Sequence, residues 1–166
     1  VRAATHRREF LTAVRNRSGL DIEVIQGTEE ARLIYLGILQ ALPLYDQRVL
    51  IIDIGGGSTE LLIGRAGEPD YAVSRKLGAI RLKDRFFASE PLRAAAVESC
   101  RTAIRVDLAG VLQDLREIGF EAAVGSSGTA ETLALMAAMA DDEDRKDLRL
   151  SREALDRVVE KIVSVP

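Results

Sequence analysis

The chain has 166 residues, of which 30% are charged and 47% apolar, and its formal net charge is −3. That length allows a real hydrophobic core, and the slightly negative balance gives no reason to expect nucleic acid or an anionic membrane as a partner. The single cysteine, Cys100, excludes a disulfide framework and a thiolate metal site; it fits a core or groove position in a reducing, cytoplasmic compartment.

In chain order, Thr5 to Arg17 places Phe10, Leu11 and Val14 at helical spacing among charges, so an amphipathic surface helix is expected, closed by Ser18-Gly19. His6 is the only histidine, and near that helix start a solvated or capping role suits it better than catalysis. Leu20, Ile22 and Val24 alternate with Asp21 and Glu23, which predicts a short strand over Leu20 to Ile25. A helix follows from Glu29 until Pro43 forbids its continuation. Glu29 and Glu30 in its first turn complement the helix dipole. Glu30 also shares a helical face with Leu33, Ile34, Gly37 and Ala41, taken here as the buried face, and a glutamate at such a rim is a candidate general base.

The centre of the chain is Leu50-Ile51-Ile52-Asp53-Ile54-Gly55-Gly56-Gly57-Ser58-Thr59-Glu60, followed by Leu61-Leu62-Ile63. It reads as two buried strands joined by a glycine turn whose backbone can take positive φ and approach a ligand. A P-loop or dinucleotide fingerprint would run into a helix, and a P-loop would carry a lysine after its last glycine; neither is present. An ordinary hairpin accounts for the spacing as well as an anion cradle does. Asp53 weighs against the ordinary hairpin, because a carboxylate ending an apolar strand is costly to bury without a partner or a metal.

Asp70 to Leu77 predicts a third strand, which completes an antiparallel meander. A helix begins at Leu77-Gly78-Ala79-Ile80-Arg81-Leu82. A long one runs from Pro91-Leu92 to about Glu117, with Val97, Ile104, Leu108, Val111, Leu112 and Leu115 as its apolar stripe covering the sheet. Glu121 to Val124 suits a fourth strand. Gly125-Ser126-Ser127-Gly128-Thr129 then precedes a helix, either as a Ser/Thr cap or as a second anion site. The charge run 141–147 lacks the pattern of a calcium loop and reads as solvated. Ser151 caps a final helix containing Leu155, Val158 and Ile162.

Taken together, Gly27-Thr28-Glu29-Glu30-Ala31-Arg32-Leu33-Ile34, Ile52 to Leu61, Leu77 to Leu82 and Gly125 to Thr129 resemble the successive signatures of the exopolyphosphatase and guanosine pentaphosphate phosphohydrolase family. The resemblance implies an α/β, actin-like ATPase (ribonuclease H-like) fold with a three-strand meander followed by helix, strand and helix. It implies that residues 1–45 end a first actin-like domain and residues 46–166 form a second, truncated one. The chain also lacks the phosphate loop with which the family opens and starts on Val1, so it looks like a fragment, weakly active or inactive by itself.

Carried over by position, the resemblance makes Glu30 and Asp53 catalytic and gives Asp53 and Glu60 to a magnesium ion. It gives Gly55, Gly56, Gly57, Ser58, Gly125, Ser126, Ser127, Gly128, Thr129 and Arg2 to phosphate. Polyphosphate or guanosine pentaphosphate is the implied substrate, with no nucleic acid or membrane partner and a homodimer as the assembly. The competing readings are an actin-fold ATPase or sugar-kinase-like protein and a non-catalytic phosphate or alarmone sensor.

Overall fold

The computed structural model describes residues 4–88, 93–141 and 148–164. Helix α1 (Arg7–Ser18) ends where Gly19 takes φ 72° and its amide returns to the Arg15 carbonyl. The expected helix forms, but its apolar positions find no core among the described residues: Phe10 is exposed, Leu11 and Val14 are half-buried, and none of its residues is buried. His6 precedes it, exposed, with Nδ1 3.3 Å from Glu9 Oε1.

The strand expected over Leu20 to Ile25 does not form. Residues 19–26 have no regular structure, and Leu20 and Ile22 stay exposed. A strand exists only where a neighbour takes its backbone groups, and among the described residues none lies beside this stretch.

Helix α2 (Gly27–Ala41) stops before Pro43, with Leu42 already extended. Its buried positions are Gly27, Ala31 and Tyr35, four residues apart, so the buried face is not the one expected. Leu33, Gly37 and Ala41 face solvent, whereas Glu30 and Ile34 flank the true stripe and are half-buried. Small residues at 27 and 31 let this face approach the sheet closely.

The sheet has the order β3-β2-β1-β4, with β1 (Val49–Ile54), β2 (Thr59–Arg65), β3 (Glu68–Arg75) and β4 (Ala122–Ser126). The first three strands form the predicted meander, and β4 returns parallel to β1. Ala66 and Gly67, with φ 53° and 85°, make the tight β2–β3 connection whose twist matches that of the strands. Alternation divides the sheet into two faces. Val49, Ile51 and Leu62 share a core with Ala31 and Tyr35 of α2. Leu50, Leu61 and Ile63 face Val111 and Leu115 of the long helix α4 (Ala94–Ile118). Each such aliphatic side chain contributes about 1.5–3 kcal/mol on burial.

Between β3 and α4 stands α3 (Ala79–Phe86), and beyond β4 come α5 (Ser127–Asp141) and α6 (Arg152–Ser164). Ala137, Ala154 and Val158 join the last two. Ser151 Oγ accepts the Ala154 amide at 3.1 Å, so the predicted cap of α6 is present. Cys100 is buried in α4, where desolvation pushes its thiol pKa up, against a smaller opposite pull from Arg85. Pro91, Leu92 and the charged residues 142–147 lie outside the described residues. Among those described, no helix is long and apolar enough to cross a membrane.

Candidate active site

Because β1 and β4 run parallel, their carboxyl ends open at one edge of the sheet, the place where α/β sheets hold ligands. The glycine turn 55–58 leaves β1 there, and α5 starts there. The Ser127 and Thr129 hydroxyls both donate to the Ile54 carbonyl, each at 2.9 Å. The predicted loop Gly125 to Thr129 is therefore shorter than expected: Gly125 and Ser126 end β4, and Ser127 to Thr129 already belong to α5. Ser127 takes φ 66°, a left-handed conformation uncommon for a residue with a side chain.

Positive φ, by contrast, is absent where it was expected. Gly55, Gly56 and Gly57 all avoid the left-handed region. What the turn needs from glycine is contact. Helix α3 abuts it: the Ala79 amide donates to Gly55 O at 2.9 Å, and the Ile80 and Arg81 amides donate to Gly56 O at 3.0 and 3.1 Å. Arg81 Nε donates to Gly57 O at 2.9 Å. A Cβ on Gly78 would lie 2.3 Å from Gly56 C and Gly57 N.

This packing orients the turn. In a trans peptide the carbonyl and the next amide point in opposite directions. With three successive carbonyls drawn to α3 and Arg81, the amides of Gly56, Gly57 and Ser58 turn the other way. Among the described residues the amides of Gly56 and Gly57 meet no acceptor, while the Gly55 amide is spent on Ser58 O at 3.0 Å. Successive outward amides of this kind form an anion-binding concavity. Of the predicted phosphate ligands, Gly56, Gly57 and Ser58 thus offer free backbone donors, and Gly55 does not. Ser127 and Thr129 have committed their hydroxyl protons to β1. On the α3 side of the turn, an open groove of about 870 Å³ is lined by Lys76, Arg81 and Arg85, with Asp84 and Asp107 among them.

The carboxylates come together in a row. Asp53 pairs with Glu60 across β1–β2, Glu60 with Ser74 across β2–β3, and Asp53 with Ser126 across β1–β4. All four lie on the α2 face, in step with Ile51, Leu62, Ala72 and Val124. Asp53 is 9% exposed and Glu60 3%. Ser74 Oγ donates to Glu60 Oε1 at 2.7 Å. Thr59, next to Glu60, donates its hydroxyl to Leu77 O at 3.1 Å and ties the strand to the start of α3.

Glu30 lies half-buried in the first turn of α2. Further along that helix Tyr35 packs at Gly64 and accepts the Gly67 amide, so α2 runs toward the β2–β3 turn; Glu30 is not gathered with Asp53 and Glu60 into one group able to hold a metal ion. Glu29 beside it is engaged by Arg32 through two hydrogen bonds of 2.8 and 2.9 Å. These hold its carboxyl pKa below the ordinary value. Arg2 lies outside the described residues.

Among the described residues no group of three or more His, Cys, Asp or Glu side chains is gathered to hold a metal ion. Two facing carboxylates nevertheless suit magnesium, which binds through one or two carboxylates and completes its shell with water and substrate phosphate. Sequence reasoning missed Ser74, because the β2–β3 register that sets it against Glu60 shifts between Ile63 and Gly64. It found the Leu77 to Leu82 signature but gave it no role.

The Ppx/GppA phosphatase family matches the chain over residues 1–166. Among solved structures, an exopolyphosphatase from Cytophaga hutchinsonii is 29% identical, with a TM-score of 0.84, over 98% of this chain and 54% of that one. A Ppx/GppA family member from Aquifex aeolicus is 25% identical, with a TM-score of 0.76, over 98% and 52%. An exopolyphosphatase-like protein is 27% identical, with a TM-score of 0.82, over 96% and 52%. The chain thus spans about half the length of the structures that it matches.

Proposed function

Since the chain belongs to the Ppx/GppA phosphatase family, we propose that the whole protein is a phosphohydrolase that releases orthophosphate from the end of inorganic polyphosphate, with guanosine pentaphosphate as the alternative substrate. The observation that carries this reading is the juxtaposition of two buried carboxylates, Asp53 and Glu60, with the outward amides of Gly56 and Gly57 at one edge of the sheet. The solved exopolyphosphatase of the same fold supports the choice of polyphosphate.

In this reading the amides of Gly56, Gly57 and Ser58 hold oxygens of the terminal phosphoryl group, and the positive end of α5 adds to their field. Glu30 orients a water molecule and takes its proton as the oxygen bonds to phosphorus. The bridging P–O bond breaks, and the shortened chain leaves with its electron pair. Asp53 and Glu60 would hold magnesium, which when bound neutralises charge on the phosphoryl oxygens. The half of the relatives that this chain does not span would close over the ligand from the other side.

The test is the magnesium dependence of orthophosphate release by the whole protein and by its Asp53→Asn variant. The variant should need on the order of 10–100-fold more magnesium for half-maximal rate. An unchanged magnesium requirement would remove Asp53 from the metal site.

A further inference from the structure

Two acidic side chains set directly opposite each other on neighbouring strands repel, and burial deepens the repulsion. The acidic row nevertheless keeps Asp53 and Glu60 as cross-strand partners, both buried, and places a serine beyond each of them: Ser74 next to Glu60 and Ser126 next to Asp53. Only the first serine makes a direct bond, from Oγ to Glu60 Oε1 at 2.7 Å. That distance lies within the range of a charge-assisted bond from a hydroxyl to a carboxylate oxygen.

A glutamate side chain turns about bonds that the backbone does not fix, and a carboxylate that ligates a cation needs a partner to set its plane. Ser74 is well placed to be that partner. It sits inside β3, paired with Glu60 in register, two residues from Ala72, which packs into the α2-side core. We propose that Ser74 is a positioning residue that fixes the Glu60 carboxyl group for a divalent cation shared with Asp53. This rests on the reading of the acidic pair given above and extends it to a side chain that bonds one member of that pair. On this basis the serine contributes to cation affinity more than to folding.

The test follows the melting temperature of the whole protein, and its rate of orthophosphate release from polyphosphate, against magnesium concentration. Four versions are compared: the unaltered protein, Ser74→Ala, Ser74→Thr and Ser74→Cys. In the unaltered protein magnesium should raise the melting temperature, because it binds only the folded row. Ser74→Ala should shift the half-saturating magnesium concentration upward by about tenfold in both readouts, with the rate at saturating magnesium close to that of the unaltered protein. Ser74→Thr, which keeps a hydroxyl, should restore the affinity. Ser74→Cys, nearly the same size with a weak donor, should behave as Ser74→Ala and serves if the alanine protein fails to fold. If Ser74→Ala and Ser74→Cys lower the melting temperature equally with and without magnesium and leave half-saturation unchanged, the hydroxyl is merely structural and the proposal falls. If the unaltered protein shows no magnesium shift at all, the metal reading of Asp53 and Glu60 fails, and the role of Ser74 falls with it.

Discussion

Glu30→Gln in the whole protein should lower the rate of orthophosphate release from polyphosphate by about a thousandfold, within the range that a positioned general base supplies, while the KM changes little. Glutamine keeps the size of the side chain and its capacity to hydrogen-bond, so the half-buried first turn of α2 remains in place. What it loses is the ability to take a proton. The expected loss corresponds to about 4 kcal/mol of transition-state stabilisation, far more than a surface carboxylate contributes to anything else. Steady-state kinetics and a melting curve check it together. A variant that retains its rate within a few-fold would assign water activation elsewhere, whereas a loss accompanied by unfolding would make Glu30 a structural residue.

Gly78→Ala is expected to be the most damaging single methyl group in the glycine-turn region. Gly78 has φ −73° and ψ 153°, which any residue adopts, so the demand for glycine is one of space alone. Its added Cβ would meet Gly56 C, Gly57 N and Gly56 O at 2.3 to 2.4 Å, all of them backbone atoms that cannot rotate aside. The turn must move off α3 and lose the bonds from Ala79, Ile80 and Arg81 that orient it. A cost of about 3 kcal/mol is expected for such overpacking, or a fall in melting temperature of about 6–12 °C for a chain of this size. Catalysis should fall with it, because the outward amides lose their direction. Gly57→Ala is the matching control: a Cβ there meets nothing within 4 Å and the φ is permissive. Its stability should stay within about 1 kcal/mol of the parent, while phosphate binding weakens where the methyl enters the ligand's space. Equal destabilisation by the two substitutions would contradict the contact argument.

These two positions also mark what the sequence makes legible. The β1–β2 hairpin could be read because its apolar runs are unambiguous and its turn is centred on Gly56-Gly57, which alone sets Asp53 opposite Glu60. The meander followed for the same reason. The buried face of α2 could not be read, because Leu33, Ile34, Leu36, Ile38 and Leu39 leave this helix apolar almost all round, and periodicity then picks no single face. Ala31 and Tyr35 won because they fit the sheet. The reason for the glycines escaped local reasoning as well. Positive φ is a property of one residue, but the approach of Gly78 to the Gly56–Gly57 peptide joins segments more than a strand apart. The alternation in Leu20 to Ile25 is a correct statement about side chains, yet a strand also needs a partner, and local pattern does not supply one. The Ser74–Glu60 bond depends on register, which the irregularity at Ile63–Gly64 resets.

The most direct test of the account is orthophosphate release from polyphosphate by the whole protein in water enriched in heavy oxygen, with magnesium present. Attack by a Glu30-activated water on the terminal phosphorus predicts one solvent oxygen in each orthophosphate released. Heavy oxygen left in the shortened chain, or phosphoryl transfer to an added nucleotide or sugar with no labelled orthophosphate, would contradict it and point to a transferase built on the same fold.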